Sequence, residues 1–232
     1  MKSILNFFDS VYSIFKSNLI FFILYLVSFV AGGIYLLKFS KGSLSIWING
    51  YHNTFLDQYF RYATWIGDGL FVVGLSVVLI LFRPRLAIVL GFAYTSTGIL
   101  AQILKRIFDT PRPKLYFGTL KTLYFVPGIE ILSYHSFPSG HSATAFSAFL
   151  IISYFVKNKA LKAIFFVIAL SVALSRVYLL QHFLVDIYFG SLIGVLGGII
   201  CIIAVDNWRA LNTKWWLDYS FYQNFIFKLK NR

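Results

Sequence analysis

The sequence predicts an all-α membrane protein, a bundle of six transmembrane helices with interfacial segments at both ends. Composition, the length of the apolar runs and the character of the breaks between them all point this way. Hydrophobic residues make up 59% of the 232 positions and charged residues only 12%, whereas a soluble domain devotes roughly 25% to charge to cover its surface. Mean hydropathy is +0.75. The apolar residues collect into runs, the longest of about 20 residues, which as helix cross a hydrocarbon core of about 30 Å. The breaks are short, basic or proline-bearing.

The length suits one membrane-embedded domain over residues 1–232, with a six-helix core at about 19–205 and interfacial ends at 1–17 and 207–232. Lys and Arg number 21 against 8 Asp and Glu, a formal charge of +13. The cations flank hydrophobic runs and form no stripe along a polar domain, so nucleic acid is excluded as a partner. The bilayer and an anionic ligand account for the excess better. Cys201 is the only cysteine; a lone buried thiol builds neither a disulfide framework nor a thiolate metal site.

Residues 1–17 place Ile4, Phe8, Val11 and Phe15 at helical spacing among Lys2, Asp9 and Lys16, which predicts an amphipathic helix on the membrane surface. The run 19–37 is the first span. Its apolar character continues past Ala31-Gly32-Gly33, so it reads as uncleaved. Segment 38–61 is more polar and carries Trp47, Tyr51, Tyr59 and Phe60, as expected at headgroup level. The second span covers 63–82, with Asp68 near its start. Arg83-Pro84-Arg85 is so short a turn that the third span, 86 to about 107, must run antiparallel beside it. Asp109-Thr110-Pro111-Arg112-Pro113 stops that helix, because proline lacks the N–H donor and restricts the residue before it.

The longest connection, 114–138, leads to a fourth span at 141–156 and a basic turn at 157–162. The fifth span covers 163 to about 174 and ends in Ser175-Arg176. The sixth runs from about 182 to 205, with Asp186 in its first turns and Gly190, Gly194, Gly197 and Gly198 offering close helix packing. The tail, 207–232, mixes Trp208, Trp215 and Trp216 with Lys and Arg and reads as interfacial. Six spans put both termini on one side. Most of the Lys and Arg fall on that side, which makes it cytoplasmic; the span ends at Lys105, His141, Arg176 and His182 then face the opposite, periplasmic or lumenal, side.

Three polar clusters sit at those span ends. His182 and Asp186 are four apart, hence on one helix face. A carboxylate there accepts the Nδ1 proton and leaves Nε2 as nucleophile or base. One such pair alone is commonly a hydrogen-bonded core pair, but ionisable groups at membrane depth are expensive and usually functional. Pro138-Ser139-Gly140-His141 precedes an apolar helix. Gly140 permits close backbone approach, helix-start amides bind anions, and the Ser139 hydroxyl caps the helix or donates to the anion. His141 stands beside that anion, placed to protonate a leaving oxygen. An ordinary helix cap with an interfacial histidine is the plainer reading of the tetrapeptide alone. Lys105, Arg112 and Arg176 add three cations suited to phosphate. Arg106 and Lys114 read as cations snorkelling to the interface, His52 and His135 as loop residues, and Asp68 and Asp109 as capping or pairing groups.

Two histidines, one carboxylate, three cations and a helix-start anion site suit metal-independent phosphoryl transfer. His182 attacks phosphorus, His141 protonates the leaving oxygen, and water assisted by His141 releases phosphate. No further carboxylates or cysteines accompany them, so no metal and no cofactor is expected.

These clusters resemble the three signatures of the type 2 phosphatidic acid phosphatase superfamily: Lys105 with Arg112-Pro113, Pro138-Ser139-Gly140-His141, and Ser175-Arg176 with His182 and Asp186, all at full spacing and in order. The resemblance covers roughly residues 19–205. It implies a helical bundle with its site at the non-cytoplasmic end, phosphate binding by Lys105, Arg112, Ser139, Gly140 and Arg176, and catalysis by His141, His182 and Asp186. The expected activity is removal of phosphate from a lipid mono- or diphosphate: a polyprenyl diphosphate, a lipid A phosphate, phosphatidylglycerophosphate or phosphatidate. A bacterial inner membrane is the expected location. A phosphotransferase of the same fold and a non-catalytic lipid-phosphate binding protein are the alternatives, the latter disfavoured because binding alone needs no nucleophile. Vanadate haloperoxidases share the motifs but are soluble, against this composition.

Overall fold

The computed structural model describes residues 2–118 and 123–208, with side chains from residue 7 onward. Among these, every regular element is a helix: α1 Lys2–Ser17, α2 Leu19–Lys38, α3 Ser43–Asn49, α4 Thr54–Ile66, α5 Gly69–Phe82, α6 Pro84–Phe108, α7 Pro113–Phe117, α8 Gly140–Tyr154, α9 Lys159–Tyr178 and α10 Leu184–Asn207. Four stretches are long and apolar enough to cross a membrane: α2, the stretch Pro84–Phe117, α9 and α10. The bent pair α4–α5 makes a fifth when counted as one span.

α8 is the hub. At 15 residues it is only about 22 Å long, and it is covered on all sides: every residue from Ser142 to Ile151 is buried. α10, α9 and α6 pack around it, with α5 outside α6 and α2 against α9 and α10. Small residues allow this crowding. A Cβ on Gly194 would run into the Ala143 carbonyl and lie 2.9 Å from the Phe146 Cβ, and one on Gly198 would lie 3.3 Å from Leu150. The expectation of glycine-mediated packing in this helix holds along the α8–α10 seam.

The run 63–82 is not one straight helix. α4 ends at Ile66, α5 starts at Gly69, and the two are bent by 55°. The sequence Gly67-Asp68-Gly69 explains the elbow. Asp68 caps α5 by accepting from the Leu70 amide at 2.8 Å, and a side chain on Gly67 would collide with Val172 of α9. Segment 38–61 likewise contains α3 and most of α4, with Trp47, Tyr51 and Tyr59 exposed.

At the other end of α8 a buried polar knot joins four elements. The Lys162 ammonium, 5% exposed, donates to the Ser17 carbonyl at 2.6 Å, the Ser153 carbonyl at 3.0 Å and Asn18 Oδ1 at 3.2 Å. Ser153 Oγ donates to the same Asn18 oxygen at 2.8 Å. The α1–α2 elbow is thereby pinned to the turn between α8 and α9. α1 leaves Phe7, Phe8, Tyr12 and Phe15 exposed and buries Ile14, as an interfacial helix resting on a bundle would. The interfacial segment expected at 207–232 lies, from residue 209 on, outside the described residues.

Candidate active site

The site forms where α8 begins, α9 ends and α10 begins. α9 stops at Tyr178, and the chain turns back so that the Gln181 and His182 amides both donate to the Arg176 carbonyl, at 2.9 and 3.0 Å. Leu180 takes a φ of +53° to make that turn, a left-handed conformation for which glycine is the usual choice. Burial of Leu180, 0% exposed, holds it there. The turn delivers His182 immediately before α10, which starts at Leu184 rather than at 182.

His182 and Asp186 meet as their spacing implied. Nδ1 lies 3.3 Å from Asp186 Oδ2, and both residues are 1% exposed. The same carboxylate oxygen accepts from the Phe183 amide at 2.8 Å and from Ser136 Oγ at 2.5 Å. Three donors fix it, so the proton on Nδ1 has a defined acceptor and Nε2 is turned away from the carboxylate. Burial pushes the His182 imidazole down to about 3, against the pull of Asp186, so the ring is neutral at pH 7, the form with a free nitrogen lone pair.

Ser139 caps α8. Its Oγ accepts from the Ser142 amide at 3.3 Å and its own N–H donates to the Asp186 carbonyl at 3.0 Å. The start of α8, with the first-turn amides of Gly140 and His141, is thus tied to the first turn of α10. The Phe137–Pro138 peptide is cis. His141 lies against the α4–α5 elbow, where a Cβ on Gly67 would be 3.4 Å from its carbonyl. The charges of Arg176, Lys105 and Arg112 act on its ring.

The cations converge as well, on different terms from one another. Lys105, in the last turn of α6, feels Arg112, Arg176 and Asp186. Arg176 donates to Thr64 Oγ1 at 2.5 Å, while its buried Nε has no hydrogen-bond partner. Arg112, 4% exposed, is mostly engaged already. It donates to the carbonyls of Tyr134 at 2.9 Å, Gln181 at 3.0 Å and His135 at 3.5 Å, and to Gln181 Oε1 at 3.2 Å. That leaves about one of the five guanidinium hydrogens for a ligand, fewer than a bidentate grip needs.

Other residues take places that spacing alone did not suggest. Ser136, Gln181 and Thr64 are polar, buried and hydrogen-bonded to Asp186, Arg112 and Arg176 respectively; their only signal is polarity inside segments that must be buried. His135 is not a bare loop residue: its Nδ1 is 2.9 Å from Asp109 Oδ1. His52 bonds the Asn49 carbonyl at 2.8 Å and stacks on Tyr124 with centroids 4.0 Å apart. Asp109 and Asp68 pair and cap, as expected. Among the described residues, no group of three or more His, Cys, Asp or Glu side chains is arranged to hold a metal.

A family model described as PAP2 superfamily matches residues 86–210, more than half of the chain and all three clusters. The chain belongs to the PAP2 superfamily. Among PAP2 structures, that of Aquifex aeolicus LpxE is 30% identical, covers 72% of this chain and 98% of its own, and superposes with a TM-score of 0.63. A crystal structure of the first transmembrane PAP2 type phosphatidylglycerolphosphate phosphatase from Bacillus subtilis covers 83% of this chain and 98% of its own, with a TM-score of 0.61; at 23% identity it shows likeness of fold. A probable sphingosine-1-phosphate phosphatase of Dictyostelium discoideum is 29% identical over 162 residues, 64% of this chain; the chain spans 38% of that protein's length.

Proposed function

We propose that this PAP2 protein is an integral-membrane phosphatase that removes phosphate from a lipid mono- or diphosphate through a phosphohistidine. The observation that carries the reading is the buried, neutral His182 held by an Asp186 carboxylate with three donors of its own, beside a cluster of cations. Nε2 of His182 attacks phosphorus, and the leaving oxygen takes a proton from His141. Water then attacks the phosphohistidine, with His141 accepting its proton, and phosphate leaves. The Gly140 and His141 amides, Lys105, Arg176 Nε and the remaining Arg112 donor stabilise the phosphoryl oxygens, and Ser139 holds the helix start in place.

The reading takes the whole chain as one domain of six spans, α8 being the short fourth one sheltered by its neighbours, in a bacterial inner membrane. The excess of Lys and Arg on the side of the termini supports cytoplasmic ends and a periplasmic site. A relative described as a probable sphingosine-1-phosphate phosphatase supports a lipid phosphate as substrate; the panel to be tried is polyprenyl diphosphate, lipid A phosphate, phosphatidylglycerophosphate and phosphatidate. The test is phosphate release by purified protein in detergent across that panel, with chelator present and His182→Ala alongside. Release from one class that survives chelator and vanishes in the variant is expected. Loss of release with chelator would overturn metal independence. Release that depends on an added hydroxyl acceptor would make the protein a phosphotransferase.

A further inference from the structure

A groove of about 520 Å³ lies between the end of α2 and the start of α10, walled by Leu36, Leu44, Leu184, Val185 and Phe189. Its size is within the range of ligand sites, roughly 300–1,000 Å³. None of Lys105, Arg112, Ser139, His141, Arg176, His182 and Asp186 lines it. Gly33 lets Tyr188 pack closely at its wall, since a Cβ there would stand 3.1 Å from the Tyr188 hydroxyl.

Two polar groups set this groove apart from a packing defect. Ser45 lines it, is 1% exposed, and its Oγ has no hydrogen-bond partner; a buried hydroxyl without a partner is costly unless a ligand satisfies it. Lys41 lines it too, with its ammonium 4.6 Å from the Phe183 ring centroid and 5.2 Å from that of Tyr116. Among the described residues no carboxylate lies within ion-pair distance of Lys41. Around the groove, Ile34, Leu37 and Phe189 are exposed on helices long enough to cross a membrane, Leu37 at 90%. The medium that wets it is therefore hydrocarbon, and what is at hand to fill it is a lipid chain.

We propose that this groove binds a resident anionic phospholipid, separate from the lipid whose phosphate is processed at His182. One acyl chain lies along Leu36, Leu44, Leu184 and Phe189. The Ser45 hydroxyl donates to the ester carbonyl at the root of that chain, and the headgroup phosphodiester sits on Lys41. Phe183 and Leu184 directly follow His182, so the bound lipid braces the turn that presents the imidazole. Charge complementarity selects an anionic headgroup, because Lys41 offers a cation that rests on the Tyr116 and Phe183 rings with no carboxylate in ion-pair distance among the described residues. The site stands whether or not the chain hydrolyses anything.

The test is photolabelling of the full chain in detergent with phosphatidylglycerol carrying a diazirine in one acyl chain, followed by peptide mapping. Label is expected within residues 33–45 and 183–189, displaced several-fold better by unlabelled phosphatidylglycerol than by phosphatidylcholine. Lys41→Ala should erase that preference and Ser45→Val should weaken labelling overall. Label spread evenly over exposed apolar faces, or equal displacement by both lipids, would mean nonspecific wetting by hydrocarbon and overturn the proposal. Label at residues 105–112 and 139–141 would place the lipid in the catalytic cluster instead. Displacement by phosphatidate but not by phosphatidylglycerol would make the groove part of the substrate path and refute a resident lipid. The wild-type map decides these outcomes even if a variant folds poorly.

Discussion

Gly190→Ala tests the construction of the site without touching a group that does chemistry. The added Cβ would lie 2.5 Å from the Ser139 carbonyl oxygen and 3.1 Å from the Ser142 Cβ. The first approach is roughly 0.9 Å short of the 3.4 Å at which ordinary contact begins. Ser139 cannot simply recede, because its amide is bonded to the Asp186 carbonyl on the same helix as Gly190. Either that bond stretches or α10 shifts along α8, and both move Asp186 relative to the start of α8. Overpacking of this kind costs about 1–3 kcal/mol, and displacing reacting groups by about 1 Å lowers turnover on the order of 10²-fold. Thermal unfolding in detergent and kcat/KM for phosphate release measure the two effects. Gly91→Ala is the control: nothing lies within 4 Å of its Cβ position, so the same change should leave turnover intact and gain up to roughly 1 kcal/mol of helix propensity. Wild-type turnover and melting in Gly190→Ala would refute the claim that the α8–α10 seam sets the site.

Ser136→Ala removes one of three donors to the Asp186 carboxylate and should destabilise by about 1.5–3 kcal/mol, with a fall in kcat larger than any change in KM; steady-state kinetics and melting together check it. Lys162→Met removes the side-chain donor to the Ser17 carbonyl and one of two donors to the Ser153 carbonyl, which keeps the Val156 amide, and should cost about 1–3 kcal/mol, seen as a lower Tm, while kcat at low temperature stays unchanged because the knot is at the far end of α8. The pH dependence of melting follows from His182. Its pKa is about 3 in the folded protein against 6.5 for the free side chain, so between those values the unfolded chain binds a proton that the folded one refuses. Stability should therefore fall as pH drops below about 6.5, and His182→Gln should flatten that slope in a Tm-versus-pH series.

The long, strongly apolar elements were legible because nothing in them competes with the helical reading: α2, α6, α9 and α10 fall within a few residues of the expected spans. The elbow between α4 and α5 was harder. Hydropathy averages over Gly67-Asp68-Gly69, whereas capping by Asp68 and the contact of Gly67 with Val172 and His141 depend on the neighbouring helices. In the site, the four-residue spacing anticipated the pairing of His182 and Asp186 but not its geometry: His182 precedes α10, and the Asp186 carboxylate reaches back over the start of that helix to meet it. Ser136 and Gln181 were not foreseeable from spacing, since their partners lie 50 and 69 residues away. Arg112 shows the limit from the other side. Its residue type suits phosphate, yet most of its donors hold the 134–135 loop and the α9–α10 turn, a use that becomes visible only when three separate segments meet.

The buried knot around Lys162 also bears on how the protein meets its bilayer. In a count of loop charges the turn at 157–162 contributes three lysines, but Lys157 and Lys159 alone are exposed. Lys162 spends its charge on carbonyls inside the bundle. An anionic leaflet attracts a surface lysine by about 1 kcal/mol, so the folded turn is held to the headgroups by roughly a third less than its composition suggests. The same lysine can steer the chain's orientation while it is being inserted and, once the helices have packed, serve as an internal tie that the membrane surface no longer feels.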